Sequence, residues 1–480
     1  MKKINKAVMA SFMLAMSATT ALAEGMTLSD VVSKTLNTHP EYQESEKLVE
    51  SARQGVVQAK AGYLPKVDLS LGTGYERVEN QSTTNRKISN PANDDHADSD
   101  RQEAAINVTQ MLFDGFATPS RVSRAKAELE NQVNFSKEIA EKVAVLSTKA
   151  YYDVLKEQSN LLVDEQNLQM HKGYQSQIQR RVRSGKSNRA DLEQVNSRVA
   201  LAESQVVQRM ELLEQAKAEF FRQVGVEAEN LETNDVDFSL IPASLGEAIE
   251  MAYSTSPRIK SLEAALEASK DSIKESKSSY YPRFDLELNA TRNQNVDGVD
   301  KKDHSEQAMV RMKYNLYNGG ADKARHLASI SDNEAAKQAL ADVKREVARD
   351  VRAAWHELQL TTKRLSSLSA QVKASKATKI AYKSQFDVGQ RTLLDVLDSE
   401  REYNFARTTF ESARNSRDFS VYQLLSFMGK MTDSFVAEEV ILDRETADLV
   451  DPEAVDATDT VETPALAAED ENAALIESIQ

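Results

Sequence analysis

The chain has 480 residues, with 60 basic and 75 acidic side chains and a formal charge of −15. That acidic balance argues against a nucleic-acid backbone as partner, and the length admits two or three domains. With no cysteine in the sequence, disulfides, thiolate metal sites and cysteine nucleophiles are excluded.

Residues 1–23 read as a signal peptide. Lys2, Lys3 and Lys6 make a basic start, 7–18 is an apolar run, and Ala21-Leu22-Ala23 is a small-x-small cleavage site. The run is too short to cross a bilayer. No cysteine follows it, so no lipid anchor is expected on the new N-terminus. Beyond residue 23 no apolar run approaches the roughly 20 residues of a membrane helix. The exported chain is therefore expected to be soluble or to enter a membrane as a β-barrel.

From there the sequence writes one unit twice. Thr27-Leu28-Ser29-Asp30 opens a short helix that stops near Thr38-His39-Pro40; Ser244-Leu245-Gly246-Glu247 opens another that stops near Ser256-Pro257. Tyr63-Leu64-Pro65-Lys66-Val67-Asp68-Leu69 matches Tyr280-Tyr281-Pro282-Arg283-Phe284-Asp285-Leu286 at the same spacing of 217 as Pro40 and Pro257. Leu112-Phe113-Asp114-Gly115 matches Leu316-Tyr317-Asn318-Gly319 at a spacing of 204, so the first copy holds a longer loop between the two matches. Four landmarks in order mark an internal duplication.

Within each copy the period changes twice. Residues 41–62 and 258–279 have helical spacing. Alternation of period two then follows: Val67, Leu69, Leu71 and Tyr75 in the first copy, Phe284, Leu286, Leu288 and Ala290 in the second. Polar loops are expected over 80–101 and 293–305. The return strands carry Ile106, Val108 and Leu112, and Val310, Met312, Tyr314 and Leu316. Alternation means one wet face and one apolar face. Strands of about nine to eleven residues suit a tilted transmembrane strand. A soluble half-buried sheet is the commoner source of such a pattern; the export signal and the duplication favour the membrane. Four strands cannot close a barrel, and lipid tolerates no open edge, so identical copies must share one.

Two very long helices follow, 118–183 and 321–387, rich in strong helix formers. At 1.5 Å per residue each is a rod of roughly 100 Å. Taken alone they read as a plain antiparallel coiled coil. Arg183-Ser184-Gly185-Lys186-Ser187 and Val388-Gly389-Gln390-Arg391-Thr392 turn the chain into helices of half that length, 188–224 and 392–428. Thr392 and Asp395 form a T-x-x-D capping box, and Asp191 lies 204 residues before Asp395. These tips are expected to form the narrow end of a tunnel. Residues 225–242 link the copies, 429–444 are their C-terminal counterpart, and the acidic stretch after 445 reads as a disordered tail.

Together these residues resemble the TolC family of outer-membrane channels over about 27–444. The carriers are the paired short helix and proline, the Tyr-x-Pro strand starts, Leu-Phe-Asp-Gly and Leu-Tyr-Asn-Gly-Gly, and the string from Val388 to Asp398. The resemblance implies an α+β membrane protein: a homotrimer whose twelve-stranded outer-membrane β-barrel, four strands per chain, continues into a long periplasmic α-helical barrel. It implies the organisation 1–23 signal peptide, 24–225 first repeat, 226–243 equatorial linker, 244–429 second repeat, 430–450 C-terminal equatorial segment and 451–480 acidic tail. It also implies a Gram-negative outer-membrane location reaching into the periplasm. The partners are outer-membrane lipid, a periplasmic adaptor (membrane fusion) protein and an inner-membrane ABC or proton-driven transporter. Nucleic acid, cofactor and catalysis have no part.

Residue by residue, Asp395 and Asp398 match the aspartates that ring the tunnel entrance, Arg391 the arginine that holds it closed, and Asp191 the acidic partner on the neighbouring hairpin. The family's frequent aromatic hydroxyl is replaced by Phe386, and Ala190 occupies another partner position, so this gate is expected to lean on charge. Gly185, Lys186, Gly389 and Gln390 are expected to dock the adaptor. In a trimer Asp395 and Asp398 would bring six carboxylates together, favouring cations. Asp191 and Asp395 are equally readable as helix-start residues on the macrodipole. Type I protein secretion is the favoured transport class, small-molecule efflux the second, and a periplasmic coiled-coil adaptor or structural protein the rival of another class.

Other signals fail. The six histidines form no H-x-x-x-H or H-E-x-x-H array. No P-loop, G-x-S-x-G or strand-linked G-x-G-x-x-G is present. Asp94-Asp95-His96-Ala97-Asp98 lacks calcium-loop spacing, and Trp355 reads as helix packing or a girdle residue.

Overall fold

The computed structural model describes residues 25–233, 235–297 and 299–435. The expected signal peptide, residues 436–450 and the acidic tail lie outside the described residues.

The duplication is visible in the order of elements. Helices α1 (Leu28–Thr38) and α2 (Pro40–Lys60) lead to strand β1 (Lys66–Val78), a short helix α3 (Gln81–Ser89), strand β2 (Ala97–Phe113), and helices α4 (Ala117–Arg183) and α5 (Arg189–Val224). The second copy repeats this with α6 (Leu245–Thr255), α7 (Pro257–Ser276), β3 (Arg283–Val296), β4 (Val299–Lys313), α8 (Ala321–Asp387) and α9 (Leu393–Phe427). Both rods contain 67 residues. The helix starts obey local chemistry. Thr27 and Asp30 make a reciprocal capping box, and Pro40 and Pro257 occupy first-turn positions, where no N–H is missed.

The four strands form one antiparallel sheet in the order β1-β2-β3-β4. Its register keeps each face uniform: Val67 lies opposite Val108, Leu69 opposite Ile106, and Leu286 opposite Val310. Within one chain β1 and β4 are open edges. The strands run to 13–17 residues, longer than the alternation predicts. The expected loop at 293–305 is instead mostly paired, and the loop at 80–101 is cut short by β2 and by α3. Pairing is a backbone matter, so Asp98, Asp100 and Gln102 can extend a strand past its apolar part. α3 is set by Asn80, whose side chain accepts from the N–H groups of Ser82 and Thr83. At the other end β4 stops at Lys313, so Tyr314 and Leu316 lie outside it.

The largest core sits where both copies meet. Leu28, Val31 and Val32 of α1, Tyr151 and Val154 of α4, Phe220 and Val224 of α5, Ile259 of α7, Val351 of α8, and Leu424 and Met428 of α9 are nearly all inaccessible. Trp355 packs against it. The segment between the copies is bound to this core: Met26 N–H donates to Asn230 O at 3.0 Å and Glu232 N–H to Met26 O at 3.2 Å. Buried Glu141 accepts from the N–H groups of Met431 and Thr432 and from the Thr432 hydroxyl, at 3.2, 3.0 and 2.5 Å. It thereby fixes the chain after α9.

Along the rods packing changes partner. Near the sheet α4 meets α2 and α7, through Ser45–Ser136 at 2.8 Å and Asn131 to Ser261 O at 2.7 Å. Towards the tip it meets α5 and α9, through Arg209 to Asp164 at 3.1 Å and Asn160 to Ser412 at 3.3 Å. Polar contacts inside the bundle explain the weak amphipathicity of the long helices.

Candidate functional site

Both rods end with the same backbone device. Gly185 and Gly389 adopt φ of +69° and +82°, the left-handed region that glycine enters without steric cost. Gly185 N–H donates to Val182 O at 3.1 Å and Lys186 N–H to Arg181 O at 2.8 Å. Gly389 N–H donates to Phe386 O at 3.0 Å and Gln390 N–H to Gln385 O at 2.8 Å. This pair of bonds is a Schellman closure, which satisfies the last carbonyls of a helix. The next helix is then restarted by a capping box. Asn188 Oδ1 accepts from Asp191 N–H at 2.8 Å, while Asp191 accepts from Ser187 Oγ at 2.7 Å and Asn188 N–H at 3.3 Å. Thr392 Oγ1 accepts from Asp395 N–H at 3.3 Å and donates to Asp395 Oδ2 at 2.7 Å.

The two hairpins of a chain lock together at these tips. Tyr174, Ile178, Val195 and Val199 of the first interleave with Phe386, Leu393, Val396 and Leu397 of the second. Phe386 is only 6% exposed, with the Arg181 guanidinium 4.7 Å from its ring centroid. It seals the seam between hairpins and does not stand at a surface. One helical turn earlier, Tyr382 supplies the aromatic partner of Arg391, whose guanidinium lies 3.9 Å from the ring centroid. Arg391 Nε also donates to Gln385 Oε1 at 3.1 Å, and its Nη1 lies 3.9 Å from Asp395 Oδ2.

Within one chain, therefore, Arg391 and Asp191 take separate partners. Arg391 is spread over its own turn, and Asp191 serves the first capping box. Asp398 joins the hairpins instead. Its Oδ1 lies 3.6 Å from Arg198 of α5 and 3.6 Å from Arg401 of α9. Asp395 and Asp398 share one face of α9, and Tyr382, Arg401 and Phe405 line the same groove. The Thr392 hydroxyl holds the Asp395 carboxyl below the usual carboxylate range, so it is ionised at neutral pH.

Sequence reasoning missed Tyr382, Gln385 and Arg198. The available signal was helical spacing: Arg198 stands seven residues after Asp191, on the same helix face. It also missed a buried brace above the tips. Glu400, 2% exposed, accepts from Lys379 Nζ at 2.8 Å and the Tyr174 hydroxyl at 3.2 Å. Burial pushes the Tyr174 hydroxyl upward in pKa and the imidazole of neighbouring His171 down to about 4. Both are uncharged at neutral pH.

The tip thus combines rigid apolar locking with half-exposed ion pairs, each weak and screened by solvent. Among the described residues no acidic or histidine group could hold a metal ion, and no helix is long and apolar enough to cross a membrane.

The pattern of the family described as outer membrane efflux protein matches residues 31–226 and 248–430, one block per copy. The chain belongs to that family. Among its relatives, it is 23% identical to outer membrane efflux protein BepC of Brucella suis over 413 residues, 86% of this chain and 87% of BepC. It is 23% identical to outer membrane protein TolC of Vibrio cholerae over 403 residues, 81% and 87% of the two chains. It is 21% identical to the alkaline protease secretion protein AprF of Pseudomonas aeruginosa over 386 residues, 79% of each. The fold matches the Campylobacter jejuni CmeC outer membrane channel at a TM-score of 0.74, with 13% identity, 89% of this chain and 90% of that one covered. It matches the Neisseria gonorrhoeae MtrE channel at 0.71, with 16% identity over 84% and 89%. The protein is an outer-membrane channel component of the TolC family, an exit channel and not an enzyme. The soluble adaptor reading is set aside.

Proposed function

We propose that this family member is the outer-membrane exit duct of a type I protein secretion system. Three copies would join β1 edge to β4 edge, giving a twelve-stranded barrel above a tube of helices. The carrying observation is the tip. Two hairpins are locked by one apolar cluster, and the groups that could hold a mouth shut are half-exposed and breakable. A gate needs a closed state that a docked partner can overturn by binding the open state better.

In this reading Asp395 and Asp398 set the charge of the mouth, Arg391 biases it closed, and Asp191 meets Arg391 of a neighbouring chain. Phe386 acts indirectly, by holding the hairpins in register. Gly185, Lys186, Gly389 and Gln390 present the turns that a periplasmic adaptor would meet, with an inner-membrane ABC transporter behind it. Relatives named for protease secretion, AprF and PrtF of Dickeya chrysanthemi, support the secretion branch. The family description and the name of BepC favour efflux of small molecules as the second reading.

Deletion in the native host separates the two. Loss of one or a few large proteins from spent medium, with unchanged sensitivity to dyes and antibiotics, is the secretion outcome. Unchanged medium with raised drug sensitivity is the efflux outcome and would overturn the proposal. Native mass spectrometry in detergent tests the assembly, and a monomer there would refute the shared barrel.

A further inference from the structure

On β3 and β4 the apolar face of the sheet changes character part-way along the strands. From the helix end it presents Val108 and Ile106 on β2, Leu286, Leu288 and Ala290 on β3, and Val310 and Ala308 on β4. All belong to one face by register. One step further on the same face come Arg292, opposite His304, and then Gln294, opposite Lys302. His304 is taken up by Glu306 at 3.3 Å. Among the described residues Arg292 and Lys302 have no ion-pair or hydrogen-bond partner, and both are exposed.

On the helix side of this basic pair, starting at Ala290 two residues before Arg292, lies a groove of about 370 Å³ lined by Ile106, Val108, Leu288, Ala290, Ala308 and Glu306, with the amides Asn289 and Gln307 also in its wall. The two alanines, set against larger neighbours, make the depression. All its walls come from β2, β3 and β4 of a single chain, so it forms without a neighbouring copy.

The apolar face of an outer-membrane barrel is the one that meets lipid. β3 begins, and β2 and β4 end, next to the helices, which extend into the periplasm. Arg292 and Lys302 therefore lie on the side away from the helices, towards the outer leaflet, where they interrupt an apolar face that β1 carries on through Leu71, in line with Ala104 and Arg292, to Tyr75. Unpaired cations at the edge of an apolar band match a ligand that carries phosphate on acyl chains.

We propose that this surface binds the phosphorylated, multiply acylated glycolipid of the outer leaflet, the lipid A part of lipopolysaccharide. One acyl chain lies in the groove against Leu288, Ala290 and Ala308. A phosphate sits on Arg292 and Lys302, where a guanidinium can grip two of its oxygens at once. Glu306 opposes the phosphate, and its pairing with His304 moderates that repulsion.

The test uses full-length protein purified in detergent and fluorescent lipid A as probe, followed by thermophoresis. Each interfacial cation is worth roughly a factor of five in binding, so the R292Q/K302Q double variant is expected to bind about 25-fold more weakly. E306Q is expected to bind a few-fold more tightly. A308F, which fills the groove and leaves the charges alone, weakens binding of lipid A and of its dephosphorylated form alike. Equal affinity for intact and dephosphorylated lipid A, or for phosphatidylglycerol, overturns the proposal, as does an unchanged double variant. The sign-reversed E306Q response distinguishes a lost contact from a misfolded barrel, and neither outcome depends on whether the cargo is protein or small molecule.

Discussion

Replacing Arg391 by serine removes the three side-chain contacts that the arginine makes within its own turn, to Gln385, Tyr382 and Asp395. Two of these contacts can be weighed. The hydrogen bond to Gln385 at 3.1 Å is worth about 0.5–1.5 kcal/mol net, and the cation–π contact with Tyr382 at 3.9 Å adds about 0.5–1 kcal/mol at an exposed site. The more distant Asp395 pair, open to solvent, is left uncounted. If opening breaks these contacts in all three chains, the closed state loses roughly 3–7.5 kcal/mol. That moves the closed-to-open ratio by two or more orders of magnitude. The assay is single-channel conductance in a planar bilayer. Arg391→Ser trimers should show a conductance several-fold above wild type, and Asp191→Asn a smaller rise if it meets Arg391 across chains. Wild-type conductance from Arg391→Ser would mean that the arginine only packs the turn, the same in both states, and would refute the reasoning.

Other expectations follow from single side chains. Asp395→Ala with Asp398→Ala should weaken cation preference in reversal-potential measurements, and unchanged selectivity would remove both from the mouth. Glu400→Ala leaves Lys379 and Tyr174 without their buried acceptor. It should destabilise the tips by about 3 kcal/mol, read as faster amide exchange over 174–178 and 393–400 with little change near the sheet. Phe386→Ala should cost about 3–5 kcal/mol by opening a cavity between hairpins, measured by denaturant unfolding. Glu141 gives a pH signature. Burial lifts its carboxyl to about 7 from 4.5, so its contribution is fully present below pH 4.5 and lost as pH rises through 7. The shift amounts to about 3 kcal/mol. Glu141→Gln should flatten the stability profile over that window, and parallel profiles would show that burial does not govern this group.

How much could be read in advance followed the range of the forces involved. The helix ends were legible because capping is local. Thr392 and Asp395, Gly389 and its closing bonds, and Pro40 and Pro257 all act within one turn. The long rods were legible for the same reason, because no proline or glycine cluster interrupts them. The strands were legible only where they are apolar. Asp98 to Gln102 and Arg292 to Val296 pair through the backbone and leave no alternation to detect. The seam between hairpins was not legible. Whether Phe386 faces a mouth or a neighbouring helix depends on α4 and α5, which lie some 200 residues away in sequence. The tie between Arg198 and Asp398 is of the same kind.

The two tips of a chain are similar in backbone and different in chemistry. One carries Ser187, Asn188 and Asp191; the other carries Arg391, Thr392 and Asp395. Three copies would therefore present six turns of two alternating kinds, a crown with three-fold and not six-fold equivalence. A partner ring built from six identical fingers would find two sorts of seat, occupied with unequal strength. Half of its fingers could let go while the other half kept the assembly docked.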